Sequence, residues 1–261
     1  MNQNKDIFKM RVSVSNVSVL IPVYNSQNTI QRAVDSVLKS DNLPKEIIIY
    51  DDASSDETLK SLRKLYGSNP KIKILSTDIN VGAGVARRRL LAQATGDLIA
   101  FLDADDEWLE NKLQKQIDVM NYEKSDLCVC GYELYDKNSK CIGKRIPPRT
   151  INYLNMHLAN WIPTSMVVFR ASLINSKAMP DLRQRQDYAF WLNLLRSNPK
   201  IKISVISDTL GKYYRQSGSL SSNKLNNVKL NYKVFRKQMG YGKILSAFLV
   251  FINVMTRFLR A

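Results

Sequence analysis

A single histidine, His157, and three cysteines, Cys128, Cys130 and Cys141, are all that this 261-residue chain offers to a soft metal or a disulfide framework. A zinc site rich in histidine or built of four cysteines is therefore excluded, and an odd number of thiols in so long a chain points to a reducing compartment. Cys128 and Cys130 alternate within an apolar run, which makes them core residues of a strand. Glycine and proline are scarce, 10 and 8 residues, so the chain is neither collagenous nor of low complexity. Residues 1–16 hold no continuous apolar stretch before a small-residue cleavage site, so no secretory leader and a cytosolic placement are expected. Acidic residues are missing altogether from residues 211–261, which carry ten Lys or Arg.

What is present is a globular composition, 44% hydrophobic and 24% charged, with ample length for a buried core. The net charge of +16 draws the chain to polyanions: nucleic acid, anionic lipid or phosphorylated substrates. Charge alone does not choose among them.

From Val17 to about Cys130, short β-branched apolar runs alternate with segments of helical period, which predicts an α/β fold with a parallel sheet. Strands are expected over Val17 to Val23, Glu46 to Tyr50, Ile72 to Leu75 and Leu98 to Leu102, with helices near Thr29 to Lys39, Ser55 to Tyr66 and Gly84 to Ala94. A further strand is expected over Thr164 to Phe169. Ligands of such sheets bind beyond the carboxyl ends of the strands, so the residues following each strand are the candidates for chemistry.

The first strand ends in Pro22-Val23-Tyr24-Asn25 and the second in Asp51-Asp52. An aromatic ring beside a carboxylate suits a nucleobase, by stacking and by accepting the N3 hydrogen of uracil. Alternatively the acidic pair forms a turn, with Ser54 or Ser55 capping the next helix. After the third strand, NVGAGVARRR feeds a helix whose N-terminus and early basic residues suit phosphate or form a solvated face. The fourth strand runs into Asp103-Ala104-Asp105-Asp106. Three crowded carboxylates repel one another unless a cation neutralises them, and oxygen ligands without His or Cys point to Mg²⁺ or Mn²⁺ completed by a substrate diphosphate. The competing reading is an acidic cap for a helix starting near Trp108.

In order along the chain, VSVLIPVYN, IIIYDDASSDET, NVGAGVARRRLLAQATGDLIAFLDADD, RQRQDYAFWLNLL and YYRQSGSLSSNK resemble the family 2 glycosyltransferases of GT-A fold. The resemblance spans Val17 to about Ser222. It implies an α/β, Rossmann-like, mainly parallel mixed sheet flanked by helices, a catalytic domain over 1–222 and a basic helical tail over 223–261. Carried over by position, Pro22, Tyr24 and Asp52 would contact uridine, Arg87, Asp103 and Arg215 the rest of the nucleotide-sugar, Asp105 the metal, and Asp187 would be the general base. Gln186 stands where an acidic residue often precedes the base, and Arg88 where asparagine is common. Gln216 and Ser217 stand where relatives often carry histidine, so no contact is carried over to that loop, and Arg215 is either a diphosphate contact or a surface arginine.

The implied reaction is an inverting transfer from a UDP-sugar, giving a β-glycoside from an α-linked donor. Residues 243 to 260, KILSAFLVFINVMTRFLR, are too short an apolar stretch to span a bilayer, but basic flanks suit peripheral binding to an anionic membrane surface. The alternative is a helix packed back on the catalytic domain. WIPTSMVVF and RQRQDYAFW look closest to bacterial β-1,3-hexosyltransferases of O-antigen assembly. The expected reaction is glucose transfer to GlcNAc-diphosphate-undecaprenol at the cytoplasmic face of the inner membrane. Galactose is the next candidate donor sugar, and N-acetylhexosamine transfer or capsule synthesis are alternatives of the same kind. A sugar nucleotidyltransferase would need a Gly-rich basic loop after the first strand, which is absent. Binding of nucleic acid is not expected, because the carboxylate cluster would repel phosphate and no nucleic-acid fold motif accompanies the charge.

Overall fold

Apolar runs flanked by polar turns form central parallel strands when helices cover both faces, and the N-terminal half folds this way. The computed structural model describes residues 13–174, 179–180, 182–215 and 224–258. Strands β1 (Val17–Val23), β2 (Glu46–Asp52), β3 (Ile72–Thr77) and β4 (Leu98–Phe101) pair in parallel in the order β3-β2-β1-β4. Helices α1 (Ile30–Leu38), α2 (Thr58–Tyr66) and α3 (Ala83–Gln93) connect them, close to the expected bounds. In α1, Ile30, Ala33, Val34 and Val37 are buried, a helical spacing that turns one face to the sheet.

The second half completes a mixed sheet that is parallel over most of its paired length. It comprises β5 (Glu107–Trp108), α4 (Lys112–Glu123), β6 (Leu127–Tyr135), β7 (Cys141–Arg145), β8 (Val167–Arg170), α5 (Gln186–Ser197) and β9 (Ile203–Tyr214). Beyond β4 the order continues β8-β6-β9-β5, with β7 on β6. Strand β8 is antiparallel to β4 and β6, whereas β6 and β9 are parallel.

Three local expectations are corrected. The helix expected near Trp108 starts at Lys112, because Glu107 and Trp108 pair with Lys212 and Gly211 of β9 instead. The strand expected from Thr164 starts at Val167, since Thr164–Met166 forms a 3₁₀ turn. Neither Ser54 nor Ser55 caps α2: the Asp56 carboxylate accepts the Thr58 N–H at 3.0 Å, and the two serines bond to Asn25.

Helices α6 (Lys224–Lys233) and α7 (Lys243–Phe258), joined through a π-helical segment Val234–Gln238, pack back on this core. Val234, Phe235, Met239 and Val250 share a buried cluster with Leu20, Phe101, Phe169 and Trp191. Cavity formation at a fully buried phenylalanine costs about 3–5 kcal/mol. Phe235→Ala is therefore expected to lower the urea midpoint of the whole chain in one cooperative transition; an unmoved main transition would show that the tail folds independently.

Candidate active site

The crevice is assembled from the loops at the carboxyl ends of the parallel strands, as the switch in strand order at β1 requires. After β1, Asn25 adopts a left-handed conformation at φ 46°. Its N–H donates to Ser54 Oγ at 2.9 Å, and its Oδ1 accepts the Ser55 N–H at 2.8 Å. The Ser26 N–H donates to Thr58 Oγ1 at 2.8 Å. The loops after β1 and β2 are thereby stitched together and leave Tyr24 51% exposed at the rim.

Asp52 is buried at the end of β2, and its two carboxylate oxygens accept the N–H groups of Val81 and Gly82 at 2.8 and 2.7 Å. Gly82 takes φ 86°, which a side chain would strain. At Gly84 a Cβ would lie 2.7 Å from the Leu182 carbonyl oxygen, so only glycine lets Pro180 and Leu182 lie against the start of α3. That close approach carries the following residues, Gln184 to Asp187, into the crevice.

Between these walls lies a cavity of about 750 Å³ lined by Pro22, Tyr24, Asp52, Arg87, Asp103, Asp105 and Asp187 among others. Seven of the eight residues singled out in the sequence thus meet at one place. Arg215 is the exception: it is exposed after β9, its N–H donates to Tyr135 O at 2.9 Å, and it does not line the cavity.

Arg87 is 5% exposed and pairs through Nη2 with Asp103 Oδ1, while its Nε and Nη1 have no hydrogen-bond partner among the described residues. A buried guanidinium with two unused donors on a cavity wall suits an anionic ligand. The turn after β4 is held by Ser165. Its Oγ accepts the Asp103 N–H at 3.0 Å and donates to Asp106 Oδ2 at 2.5 Å, and its carbonyl accepts the Trp108 indole N–H at 2.6 Å.

Burial, with the neighbouring charge of Asp103, pushes the Asp105 carboxyl up to about 6. Burial and the charges of Asp105 and Asp103 likewise raise Asp106 well above the usual carboxylate range. No helix N-terminus relieves this crowding, since α4 begins at Lys112. Among the described residues no group of three His, Cys, Asp or Glu is placed to hold a metal by itself. The donor set instead fits a hard cation bound by one or two carboxylates and completed by substrate phosphates.

Asp187 stands in the first turn of α5, after Arg185 in a left-handed conformation at φ 59°. Its Oδ2 accepts a hydrogen bond from Asn160 Nδ2 at 2.9 Å. It also lines a smaller cavity of about 310 Å³, shared with Asp103, Tyr132, Asn160, Thr164, Tyr213 and, from the tail, Asn231 and Asn253. Thr164, Ser165 and Tyr213 lie within the segments WIPTSMVVF and YYRQSGSLSSNK but were given no role there, and Asn160 lies just outside them; all four reach the site through tertiary contacts.

This fold and crevice define a glycosyltransferase of the GT-A class. The model of "Glycosyl transferase family 2" matches residues 18–182, and the chain belongs to that family. The chain is 35% identical over 220 residues to the UDP-Glc:alpha-D-GlcNAc-diphosphoundecaprenol beta-1,3-glucosyltransferase WfgD of Escherichia coli, covering 84% of each protein. It is 35% identical over 209 residues to WfaP of Escherichia coli, which bears the same description, covering 80% of each. Its fold matches S. aureus TarS 1-349 in complex with UDP-GlcNAc at a TM-score of 0.70, with 22% identity over 93% of this chain and 72% of that one.

Proposed function

We propose that the protein transfers glucose from UDP-glucose to GlcNAc-diphosphate-undecaprenol, forming a β-1,3 linkage in O-antigen repeat-unit synthesis. The observation that carries this reading is the convergence of Tyr24, Asp52, Arg87, Asp105 and Asp187 on one cavity. The descriptions of WfgD and WfaP support the choice of donor and acceptor.

Tyr24 stacks on uracil, and each Asp52 oxygen keeps a lone pair for the uracil N3–H beyond the backbone bond it already accepts. Pro22 lines the same wall. Arg87 turns its unused donors to the diphosphate. Asp105, with Asp103 beside it, would hold Mn²⁺ or Mg²⁺, which when bound neutralises charge on the diphosphate as a Lewis acid. Asp187 removes the proton from the acceptor hydroxyl, whose oxygen bonds to the anomeric carbon as the bond to the UDP oxygen breaks on the opposite face. Configuration inverts, UDP departs with the bonding pair, and Asp187 later releases its proton to water.

In this reading residues 1–222 carry the donor-binding and catalytic side chains, and 223–261 form a tail that packs on them and meets the membrane peripherally at the cytoplasmic face. Among the described residues no helix is long and apolar enough to cross a bilayer. Nucleic acid is not a partner in this scheme.

The test is UDP release from a panel of UDP-sugars with a synthetic GlcNAc-α-diphosphate-lipid, in Mn²⁺ or EDTA, with the product linkage read by NMR. Transfer of glucose alone to the 3-position, abolished by EDTA, is expected. Preference for UDP-galactose or a UDP-N-acetylhexosamine would overturn the donor assignment while keeping the class of reaction.

A further inference from the structure

Helix α7 carries apolar side chains on two faces: Leu249, Val250 and Val254 pack on the core, and a second set points away from it. Its fully buried positions are Ser246, Val250 and Asn253, two of the three polar, whereas Ile244, Leu245, Phe248, Phe251 and Met255 face solvent. Ile244, Phe248, Phe251 and Met255 follow one another at intervals of four, three and four residues, which puts them on a single stripe of the helix. Their exposures are 88%, 56%, 61% and 44%, and unlike Ile79, Tyr122 or Leu154, which are as exposed, they line up on one helix. The inward face is fixed by polar bonds: Asn231 Nδ2 donates to Asn253 Oδ1 at 3.0 Å, and Asn253 Nδ2 donates to His157 O at 3.3 Å. The helix therefore cannot turn its apolar stripe inward without breaking buried hydrogen bonds.

We infer that this outward stripe of α7 docks into the surface of an anionic lipid monolayer, lying along it. At 16 residues, or about 24 Å, the helix is shorter than the hydrocarbon core. Lys243 is exposed at the start of α7, Lys229 and Lys233 are exposed on α6 and Lys237 on the π-helical segment between them, and residues 211–261 contain no acidic residue. That one-sided charge attracts anionic headgroups and repels a second copy of the same tail, which selects lipid over self-association as the occupant.

Docking has a consequence for the chemistry, and this part rests on the proposed function. Asn253 of α7 and Asn231 of α6 line the small cavity that Asp187 also lines. A helix lying on lipid thus forms one wall of the cavity beside the candidate base. The hydroxyl of a lipid-linked sugar diphosphate reaches Asp187 without leaving the membrane surface.

The experiment uses the full chain and the doubly substituted variant Phe248→Asp, Phe251→Asp, whose changes lie on the exposed face. Flotation is measured with phosphatidylglycerol-containing vesicles and with pure phosphatidylcholine vesicles, and oligomeric state by light scattering. The parent chain is expected to float with the anionic vesicles, and the variant to lose at least about tenfold in vesicle affinity, given the apolar burial forgone. Equal flotation of parent and variant would overturn the proposal. So would a parent dimer that the variant converts to monomer, because the stripe would then be covered by a second copy. Transfer to a short-chain, water-soluble acceptor is measured in parallel: it reads the proposed reaction alone, so failure of the surface and failure of the reaction are told apart.

Discussion

Asp187→Asn is expected to lower kcat by about 10²–10⁴-fold, the usual contribution of a positioned general base, while leaving UDP affinity unchanged. The carboxamide is nearly isosteric and its oxygen can still accept from Asn160 Nδ2, so the first turn of α5 keeps its shape. What is lost is the ability to take a proton. Tyr24, Asp52 and Arg87 belong to the opposite wall, on loops and helices of the β1–β4 half, and are untouched. Single-turnover transfer beside calorimetric UDP binding separates the two quantities. Transfer at the parent rate would refute the assignment of Asp187 as base.

Removing the central carboxylate of the turn after β4 acts on the other half of the reaction. Asp105→Ala is expected to cost about 10²–10³-fold or more in turnover, because charge developing on the leaving diphosphate loses its stabilisation. The residual rate should no longer respond to Mn²⁺ or EDTA. The same substitution removes a half-buried carboxylate crowded by Asp103 and Asp106, so in EDTA the variant should melt no lower than the parent. A variant that still needs Mn²⁺ would place the metal on other residues. A variant that melts well below the parent without metal would show that Asp105 serves the fold rather than the ion.

The β1–β4 half was legible in the sequence because each central parallel strand is built on an apolar run, as in Ile47 to Tyr50, although pairing with β3 carries β2 on through Asp51 and Asp52. The site residues of that half follow the strand ends and were legible for the same reason. In the second half local signals lose to tertiary ones. Glu107 and Trp108 become a strand through pairing with Lys212 and Gly211, about a hundred residues away, which no window of sequence reveals. Asn160 gains its role from the approach of α5, and Tyr213 from the pairing of β9 with β6. The tail shows the limit in another form. Its basic charge and short apolar run were visible, but which residues of the helix pack back on the core and which face solvent is separated only by burial.

The order of elements along the chain also sets a schedule. A polypeptide is made from its N-terminus, and domains fold as their contacts become available. Tyr24, Asp52, Arg87 and the carboxylates through Asp106 have all emerged before β6 begins at Leu127. Asp187, Tyr213 and Asn253 come only with the final third. During synthesis the wall that carries Tyr24, Asp52 and Arg87 can therefore precede the wall that carries Asp187, and the crevice lacks part of its lining until α7 has been translated.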